Sequence, residues 1–307
     1  MNFQQLRSVR ETARRGFNLT EVANALFTSQ PGVSRQIREL EEELGIDIFE
    51  RNGKRLTGLT EPGKEVLQIV ERLLLEAENL QRAGETFSGT TTGTLSVAAT
   101  HTQTRYVLPE VVQHFRAAFP QVRIALQQSA PEHIAEWVLS GKADIGIATE
   151  GLSRFDGLVS FPCYEWHHVI VVPAGHPLLS LKKVTLEDLA EHPLITYDLG
   201  FTGRSHIDEA FDAKQITPDI VLTAMDSDVI QQYVTMGLGV GIIASMAAEH
   251  LPKGLHPIPA SHLFATNVTR VAVRRGAFLR EYAVDFIRQL APKLKLDELA
   301  EAVSWRR

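Results

Sequence analysis

An uncharged polar cluster stands where a strand-like run gives way to a helix-like stretch. Residues 96–109 read S-V-A-A-T-H-T-Q-T-R-Y-V-L-P, so the cluster begins at Thr100 and includes Thr102 and Gln103. Hydroxyl and amide groups at such a junction can hydrogen-bond a ligand, and the free backbone N–H groups of a helix start favour an anion. The plainer interpretation is a polar turn with a good helix N-cap. These residues alone leave both interpretations open.

Two further junctions have the same character. Thr149 follows the strand-like run D-I-G-I-A, and Thr202 follows Y-D-L-G-F between two glycines that permit backbone approach. Neutral hydroxyl and amide donors suit a fully ionised oxyanion such as sulfate, because they do not require a protonated partner. A site for a phosphate monoester would more often add Arg or Lys, and only Arg204 lies near, with no direction assigned to it. The three junctions therefore predict a site for a small oxyanion.

Strand-like and helix-like runs alternate from about residue 94 onward, which predicts parallel sheets covered by helices. Ligands of open α/β sheets bind beyond the carboxyl ends of the strands, where these polar junctions lie. The predicted strands are Leu95–Ala99, Val122–Gln127, Ile145–Ala148, Val169–Val172, Leu194–Thr196, Ile220–Thr223, Gly241–Ile243 and Arg270–Arg274.

Residues 16–45 have the pattern of two short helices joined by a tight turn. Asn18 fits a capping box with Glu21, Ser29 or Thr28 can cap the second helix, and Gly45 can end it. The start of the second helix offers side chains suited to base edges in the major groove. The residues predicted to read bases are Gln30, Ser34 and Arg35, and Ser29 is also predicted to contact DNA. The pattern alone fits equally a helical hairpin with a solvated charged face.

Basic residues surround the dipeptide Asn52-Gly53, which favours a tight β-hairpin after the second helix. A hairpin here could act as a wing that touches phosphates or the minor groove. The residues predicted mainly to hold phosphates are Arg38, Arg51, Lys54 and Arg55.

A longer helix is predicted over residues 62–87, before the Gly-, Ser- and Thr-rich linker G-E-T-F-S-G-T-T-T-G-T. Its apolar positions recur at alternating steps of four and three residues, which is a heptad seam typical of a dimer helix. The seam is Val66, Val70, Leu73, Ala77, Leu80, Gly84 and Phe87. Ile69 and Leu74 widen this stripe, so an ordinary amphipathic helix packed on a core is the alternative.

The whole-chain composition narrows the class of protein. The net charge is -6 over 307 residues, so any nucleic-acid face must be local, and at least two domains are expected. The single cysteine, Cys163, cannot form an internal disulfide, which fits a reducing compartment. We expect no signal peptide and no membrane span, and therefore a cytoplasmic protein.

Other chemistry finds little support in the sequence. His101, His167 and His168 match no zinc spacing, and G-L-G-V-G is not a dinucleotide fingerprint, so no metal and no cofactor are expected. Cys163 lacks a base partner, and Trp166 could line the ligand site or pack in the core. An enzyme and an exported solute-binding protein on the same architecture remain alternatives. Turnover of a bound small molecule would support the first, and export of the intact chain would support the second.

These residues resemble the LysR-type transcriptional regulators. The resemblance rests on A-N-A-L-F-T-S-Q-P-G-V-S-R-Q-I-R-E-L-E-E-E-L-G-I-D-I-F-E-R and L-T-E-P-G-K-E-V-L, and the rest of the chain resembles the effector-binding domain of that family. A-T-H-T-Q-T-R-Y-V-L-P, G-F-T-G-R-S, D-S-D-V-I and G-L-G-V-G-I-I-A-S-M-A are similar to the CysB and Cbl group of sulfur-assimilation regulators. CysB, Cbl and another sulfonate-responsive paralogue all stay open as the match.

The resemblance implies an α/β protein with a winged helix-turn-helix over 1–60, a linker and dimerisation helix over 61–88, and an effector domain over 89–307. That domain would have two α/β subdomains of periplasmic-binding-protein type. It also implies effector contacts at Thr100, Thr102, Gln103, Thr149 and Thr202. The implied partners are double-stranded promoter DNA, an effector of the sulfate-like or acetylserine class, and copies of the chain in a dimer or tetramer. RNA polymerase is a further candidate partner; a LysR-type regulator of another pathway, with a different anionic effector, is the alternative.

Overall fold

The structure is a computed structural model and describes residues 1–53, 55–87, 92–149, 151–201 and 203–303, with side chains described outside 85–87. The chain divides into two compact units, Met1–Ser88 and Gly89–Arg307. Within the described ranges, every helix is too short or too polar to cross a membrane.

The N-terminal unit is a helical domain with one β-hairpin. Its elements are α1 (Phe3–Arg14), α2 (Leu19–Ala25), α3 (Gln30–Leu44), β1 (Phe49–Asn52), β2 (Arg55–Leu59) and α4 (Glu61–Phe87). The two strands pair antiparallel, with Asn52 opposite Arg55 and Gly53 in the turn at φ 62°. The hairpin predicted from Asn52-Gly53 is therefore confirmed.

Local hydrogen bonds explain where α2 and α3 begin and end. The Asn18 side chain accepts from the backbone N–H groups of Thr20 and Glu21, and the Ser29 hydroxyl accepts from that of Gly32. Gly45 ends α3 in the left-handed conformation at φ 69°, which glycine adopts without steric penalty. The predicted caps are confirmed, with Ser29 rather than Thr28 capping α3. Glu21 does not complete the predicted capping box, because its carboxylate accepts from the Asn18 side-chain amide at 2.9 Å.

Helix α4 has two apolar faces. Val70 and Leu74 are buried and pack with Leu6, Val9 and other residues of the N-terminal core. By contrast, Leu73 and Leu80 of the predicted heptad seam are 41% and 75% exposed. The helix is therefore packed on a core along one face, as the alternative interpretation expected, and keeps an exposed apolar row on another.

The C-terminal unit contains two five-stranded sheets, each with its own apolar core, among the described residues. The first sheet has the order β4-β3-β5-β12-β6 and the second has the order β11-β7-β10-β8-β9. We call the two halves the first and second subdomains. The strands are β3 (Gly93–Ala99), β4 (Val122–Gln128), β5 (Ile145–Thr149), β6 (Leu158–Trp166), β7 (His168–Pro173), β8 (Leu194–Tyr197), β9 (Ile220–Ala224), β10 (Val240–Ala244), β11 (Leu255–Pro259) and β12 (Asn267–Arg274).

Helices cover both sheets and supply most of the remaining core. The first subdomain carries α5 (His101–Tyr106), α6 (Leu108–Ala118), α7 (Pro131–Leu139), α12 (Glu281–Leu290) and α13 (Leu296–Val303). The second carries α8 (Leu186–Ala190), α9 (Arg204–Ala213), α10 (Ser227–Thr235) and α11 (Ser245–Ala248). Because the chain enters the second subdomain after Trp166 and returns to the first at Asn267, two crossing segments join the subdomains.

The sheets are mixed rather than wholly parallel. β3 pairs parallel with β4 and β5, and β8 pairs parallel with β9 and β10, as the alternating pattern predicted. All eight predicted strands exist, but the prediction missed β6 and β11, which pair antiparallel at sheet edges. Both contain proline, at Pro162, Pro257 and Pro259, which weakens a strand pattern and is tolerated at an edge.

Candidate functional site

The start of α3 presents the side chains predicted to read DNA bases. Gln30 and Arg35 are exposed, with the Arg35 side chain 81% accessible, and Ser34 is half-buried beside them. Ser29 is exposed too, but its hydroxyl is already the acceptor that caps the helix. Geometry therefore assigns Ser29 a capping task and leaves Gln30, Ser34 and Arg35 able to approach a ligand.

Ion pairs and hydrogen bonds along α3 hold its basic side chains in place. Arg35 Nε lies 2.6 Å from a carboxylate oxygen of Glu39, and Arg38 donates to the Ser34 hydroxyl at 3.0 Å. The hydrogen bond from Arg35, supported by one from Gln5, lowers the pKa of the Glu39 carboxyl. Glu39 therefore stays ionised at neutral pH, and any anionic ligand of Arg35 would have to compete with this carboxylate.

The wing is tied to α3 by a carboxylate that the sequence did not reveal as important. Glu41 is 6% exposed, and one of its oxygens accepts from the backbone N–H groups of Ile48 and Phe49 at 2.9 and 3.1 Å. Its other oxygen accepts a hydrogen bond from the Arg51 guanidinium at 2.5 Å. Arg51 was predicted mainly as a phosphate contact, and its guanidinium here bonds Glu41. Arg55 is exposed at the start of β2.

An open groove runs between α3 and the wing, and its walls carry both signs of charge. Lys54, another residue predicted to hold phosphates, lies outside the described residues. The groove is lined by Gln30, Pro31, Ser34, Arg35, Arg38, Glu39, Glu41, Glu42, Gly45, Ile46, Asp47, Arg51 and Gly53.

In the C-terminal unit, the polar cluster that follows β3 opens α5 without a side-chain cap. Thr100 occupies the N-cap position, but its hydroxyl makes no capping hydrogen bond. The Thr104 hydroxyl instead donates to the Thr100 carbonyl at 3.1 Å. The interpretation of this cluster as a threonine-capped turn is therefore wrong, because no side chain caps the helix.

Thr102 and Gln103, the next two predicted contacts, are buried but differently satisfied. Thr102 is only 1% exposed, and its enclosed hydroxyl has no hydrogen-bond partner among the described residues. Gln103 donates through Nε2 to the Thr269 hydroxyl at 3.2 Å, and its Oε1 accepts from Tyr164. The Gln103 side chain is thus engaged by the protein, whereas a buried polar group without a partner, such as Thr102, is costly unless a ligand satisfies it.

Thr149 comes to the same edge of the first sheet as Thr100. β3 and β5 are parallel neighbours, and the backbone N–H of Thr100 donates to the Ile147 carbonyl at 3.2 Å. Thr149 ends β5, is 6% exposed, and lies opposite Thr269 in the antiparallel register of β12. The structure therefore brings Thr100 and Thr149 to one edge of the first sheet. Gln103 is bonded at the same edge, to Thr269.

Thr202 lies outside the described residues, but its neighbours define the start of α9. Gly203 has φ 68°, and a Cβ at this position would overlap Asn267 Oδ1. Arg204 donates to the Tyr197 carbonyl at 2.6 Å and to Asp208 at 2.7 Å. Arg204 therefore binds its own subdomain, which answers the question of its direction.

Tyr197 is a buried residue near Thr102 that sequence reasoning missed. Its hydroxyl accepts from the backbone N–H of Ala244 at 2.9 Å and shares a 2.6 Å hydrogen bond with Ser227. Burial raises its pKa to about 12, partly offset by these bonds and by the nearby Thr102 hydroxyl, which does not itself reach hydrogen-bond geometry. Nothing in the sequence indicated that Tyr197 lies beside Thr102, because the two residues belong to different subdomains.

The histidines and Trp166 have distinct surroundings. His168 is fully buried beside Trp166, at 5.1 Å between ring centroids, and lies 3.4 Å from Asn267. Trp166 is itself buried and donates to the Thr269 hydroxyl at 3.1 Å, which favours its packing interpretation. His101, which sequence reasoning could not place, faces the second subdomain, with Nε2 4.0 Å from Asp228.

Two family models match the chain. One, described as a bacterial regulatory helix-turn-helix protein of the lysR family, matches residues 3–64, and the other, the LysR substrate binding domain, matches residues 88–295. The chain belongs to the LysR family. The predicted family and fold class are therefore confirmed.

Relatives of this LysR-family protein match along nearly the whole chain. It is 56% identical over 301 residues to the HTH-type transcriptional regulator SsuR of Burkholderia cenocepacia, which covers 98% of each chain. It is 51% identical over 304 residues to CysB of the same species, which covers 99% of this chain and 97% of CysB. Since both relatives are named as transcriptional regulators, the expectation that the protein is not an enzyme is also confirmed.

A solved structure matches the C-terminal unit. The crystal structure of the cofactor-binding domain of the Cbl transcriptional regulator has a TM-score of 0.68 and 45% identity to this LysR-family protein. The match covers 69% of this chain and 94% of that one. The resemblance to the CysB and Cbl group therefore extends from sequence motifs to the fold of the effector-binding unit.

Proposed function

We propose that this LysR-family protein regulates sulfur-assimilation or sulfonate-utilisation genes in the cytoplasm, in response to a small effector of the sulfate-like or acetylserine class. The single observation that carries the effector half is the Thr102 hydroxyl, which is buried and unpartnered beside two other predicted contacts at the end of β3 and β5. The named relatives SsuR, CysB and Cbl support the choice of pathway.

The DNA half of the proposal assigns base reading to the exposed start of α3. Gln30 and Arg35 can reach adenine and guanine edges respectively, since Gln and Arg make bidentate contacts with those bases. Arg38 and Arg55 hold phosphates, and Lys54 joins them by prediction. Arg51 supports the wing through Glu41 and adds positive charge to the same groove.

Self-association follows from the second face of α4. The exposed side chains of Leu73 and Leu80 lie seven residues apart, as in a heptad seam, and would be buried by the same helix of a second copy. A dimer places two recognition helices on two half-sites. Further association to a tetramer is part of the proposal.

Neutral donors favour a fully ionised anion at the effector site. Thr100, Thr102 and Thr149 provide hydroxyl groups, and Arg204 is turned away toward Asp208. The N–H groups of the first turn of α5 add a positive potential at the same place. Sulfate and sulfate-like esters fit this arrangement, and the acetylserine class is included by the resemblance to the CysB and Cbl group.

Replacing Arg35 tests the DNA half. We expect Arg35→Ala to weaken binding of the protein to its promoter about tenfold at matched salt in a gel-shift assay, because one bidentate base contact is lost. Arg123→Ala is the control, since it removes the same charge from an exposed position on β4. Equal binding by the parent and Arg35→Ala would show that α3 is not the reading helix.

Calorimetric titration of the full-length protein tests the effector half. The ligands are sulfate, thiosulfate, adenosine phosphosulfate, O-acetylserine and N-acetylserine, each titrated into the parent and into Thr102→Val. We expect at least one ligand to bind the parent and to bind the variant about tenfold more weakly, because the Thr102 hydroxyl loses its role as donor. Unchanged affinity in Thr102→Val would move the site elsewhere, and no binding of any ligand would refute the effector class.

A further inference from the structure

One carboxylate of the second subdomain is held by three side chains of a single short helix in the first. Asp228, near the start of α10, accepts the Tyr106 hydroxyl at 2.5 Å and lies 3.4 Å from Arg105 Nε and 4.0 Å from His101 Nε2. Burial and the bond to Asp228 raise the pKa of the Tyr106 phenol, so the phenol remains a donor at neutral pH. The Tyr106 ring also stacks on His250 of the second subdomain, with 5.7 Å between centroids.

The same helix carries the effector contacts. α5 spans only His101–Tyr106 and includes Thr102 and Gln103 between the residues that hold Asp228. Gln103 fastens it to the first sheet through Thr269, whereas Arg105 and Tyr106 fasten it to the second subdomain. Any shift of α5 away from the second subdomain would therefore carry Thr102 with it.

A second path joins the same places. Ser227, the residue before Asp228, bonds the Tyr197 hydroxyl at 2.6 Å, and Tyr197 lies beside Thr102. Asp226, the residue before Ser227, caps α10 by accepting from the Val229 N–H at 2.9 Å. Residues 226–228 thus combine a helix cap, a contact beside the effector site and the anchor for α5.

We propose that Asp228 is a positioning residue that couples effector binding to the approach of the two subdomains, by holding the effector-contacting helix α5 against the second subdomain. An effector that touches both subdomains binds tightly only when they are close, and the Asp228 bonds favour that arrangement. The apparent affinity falls in proportion to the fraction of molecules in the competent arrangement. This inference rests on the proposed effector site.

A cation site made of His101, Asp226 and Asp228 is the competing interpretation, since their ligand atoms lie within 4.8 Å of one another. Asp228 already receives the Tyr106 hydroxyl on one oxygen and faces Arg105 with the other. A metal ion would have to displace a guanidinium to reach it. The contacts therefore favour an anchor for α5.

Simple electrostatics and the positioning role predict opposite results for Asp228→Asn. Removing a negative charge close to an anion site should by itself strengthen anion binding. Loss of the charge-assisted bonds to Tyr106 and Arg105 should instead weaken it, by about tenfold. Asp226→Asn is the matched control, because it removes the same charge two residues away and asparagine still caps a helix.

The test titrates sulfate into full-length parent, Asp228→Asn, Asp226→Asn and Tyr106→Phe, with the other four ligands as further arms. We expect weaker binding in Asp228→Asn and in Tyr106→Phe than in the parent. The variant that combines these two substitutions should bind no more weakly than Asp228→Asn alone, and Asp226→Asn should bind as tightly as the parent or more tightly. Binding by Asp228→Asn as tight as by Asp226→Asn would overturn the proposal.

A distance measurement separates failure of this inference from failure of the effector class. Spin labels at Gln113→Cys on α6 and Asp212→Cys on α9 report the distance between subdomains without any ligand. We expect Asp228→Asn to broaden the distance distribution and Asp226→Asn to leave it unchanged. An unchanged distribution in Asp228→Asn refutes the positioning role even if no tested ligand binds the parent.

Discussion

The two regions proposed to bind anions solve the same electrostatic problem in opposite ways. The groove of the N-terminal unit offers exposed guanidinium groups that are paired with carboxylates, such as Arg35 with Glu39. The junction in the C-terminal unit offers buried neutral hydroxyls, and within the described part of the chain the Thr102 hydroxyl has no hydrogen-bond partner. A large polyanion can displace surface ion pairs, which contribute little to stability, whereas a small anion needs donors that are already free of water.

The difference predicts where substitutions are tolerated. Exposed groove side chains that lack a buried partner should accept changes with little effect on folding stability, whereas changes at the buried junction should alter it measurably. Four sets of measurements test this contrast.

The largest effect is expected at Gly203. Gly203→Ala should lower the free energy of unfolding of the C-terminal unit by more than about 3 kcal/mol, because the new Cβ overlaps the buried Asn267 and the backbone is left-handed at φ 68°. Urea unfolding followed by tryptophan fluorescence measures this loss of stability. The signal reports on the C-terminal unit, because every tryptophan follows residue 88.

Two other glycines provide the controls for Gly203. Gly200 has φ 81° and Gly53, in the wing, has φ 62°, and no atom of the described residues lies within 4 Å of a Cβ added at either position. Alanine at either should cost only about 1 kcal/mol, the penalty of the left-handed backbone alone. A cost at Gly200 or Gly53 equal to that at Gly203 would contradict the role of Asn267.

Two arginines of the wing separate support from DNA contact. Arg51→Ala should destabilise the N-terminal unit by about 2 kcal/mol, because Glu41 is buried and loses its charged partner. Arg55→Ala removes an exposed side chain and should change stability by less than about 0.5 kcal/mol. Arg55→Ala should also make the negative slope of log affinity against log salt concentration less steep by about 0.9, because one phosphate contact is lost. Urea unfolding followed by circular dichroism measures the stabilities, and gel shifts at several salt concentrations measure the salt dependence. Equal stabilities of Arg51→Ala and Arg55→Ala would refute the distinction.

Replacing a buried threonine should have opposite signs in the two units. Thr102→Val removes an unpartnered hydroxyl and should raise the stability of the effector-free protein by about 1 kcal/mol. Thr12→Val removes a hydroxyl that donates to the Ser8 carbonyl at 2.7 Å and should lower stability by about 1 kcal/mol. Loss of stability in Thr102→Val would mean that its hydroxyl is already satisfied.

The smallest effect concerns Cys163. Burial raises the pKa of this thiol to about 12, so the reactive thiolate is disfavoured throughout the neutral range. We expect negligible reaction with a disulfide reagent between pH 7 and pH 9 in the folded protein, and fast reaction that increases with pH in urea. Rapid labelling of the folded protein would show that the thiol reaches solvent.

Local signals were sufficient for the boundaries of α2 and α3 and for the wing. Asn18, Ser29 and Gly45 act through hydrogen bonds or backbone angles within three or four residues of themselves, so their roles can be read from neighbouring letters. The central strands β5, β8 and β10 were recognisable because both of their faces are buried, which makes their sequences largely apolar. The edge strands β6 and β11 were not, since their prolines and half-exposed patterns obscure the signal.

The sequence by itself determined the family, the two-subdomain architecture and the polar junctions at strand ends. Only the tertiary structure decided what those polar groups touch. Gln103 meets Thr269 across 166 residues, and Asp228 meets Tyr106 across 122. Arg51 bonds the buried Glu41 carboxylate, while its side chain stays 32% exposed. Such pairings depend on which strands become neighbours and on burial of charge, and neither is encoded in the spacing of nearby residues.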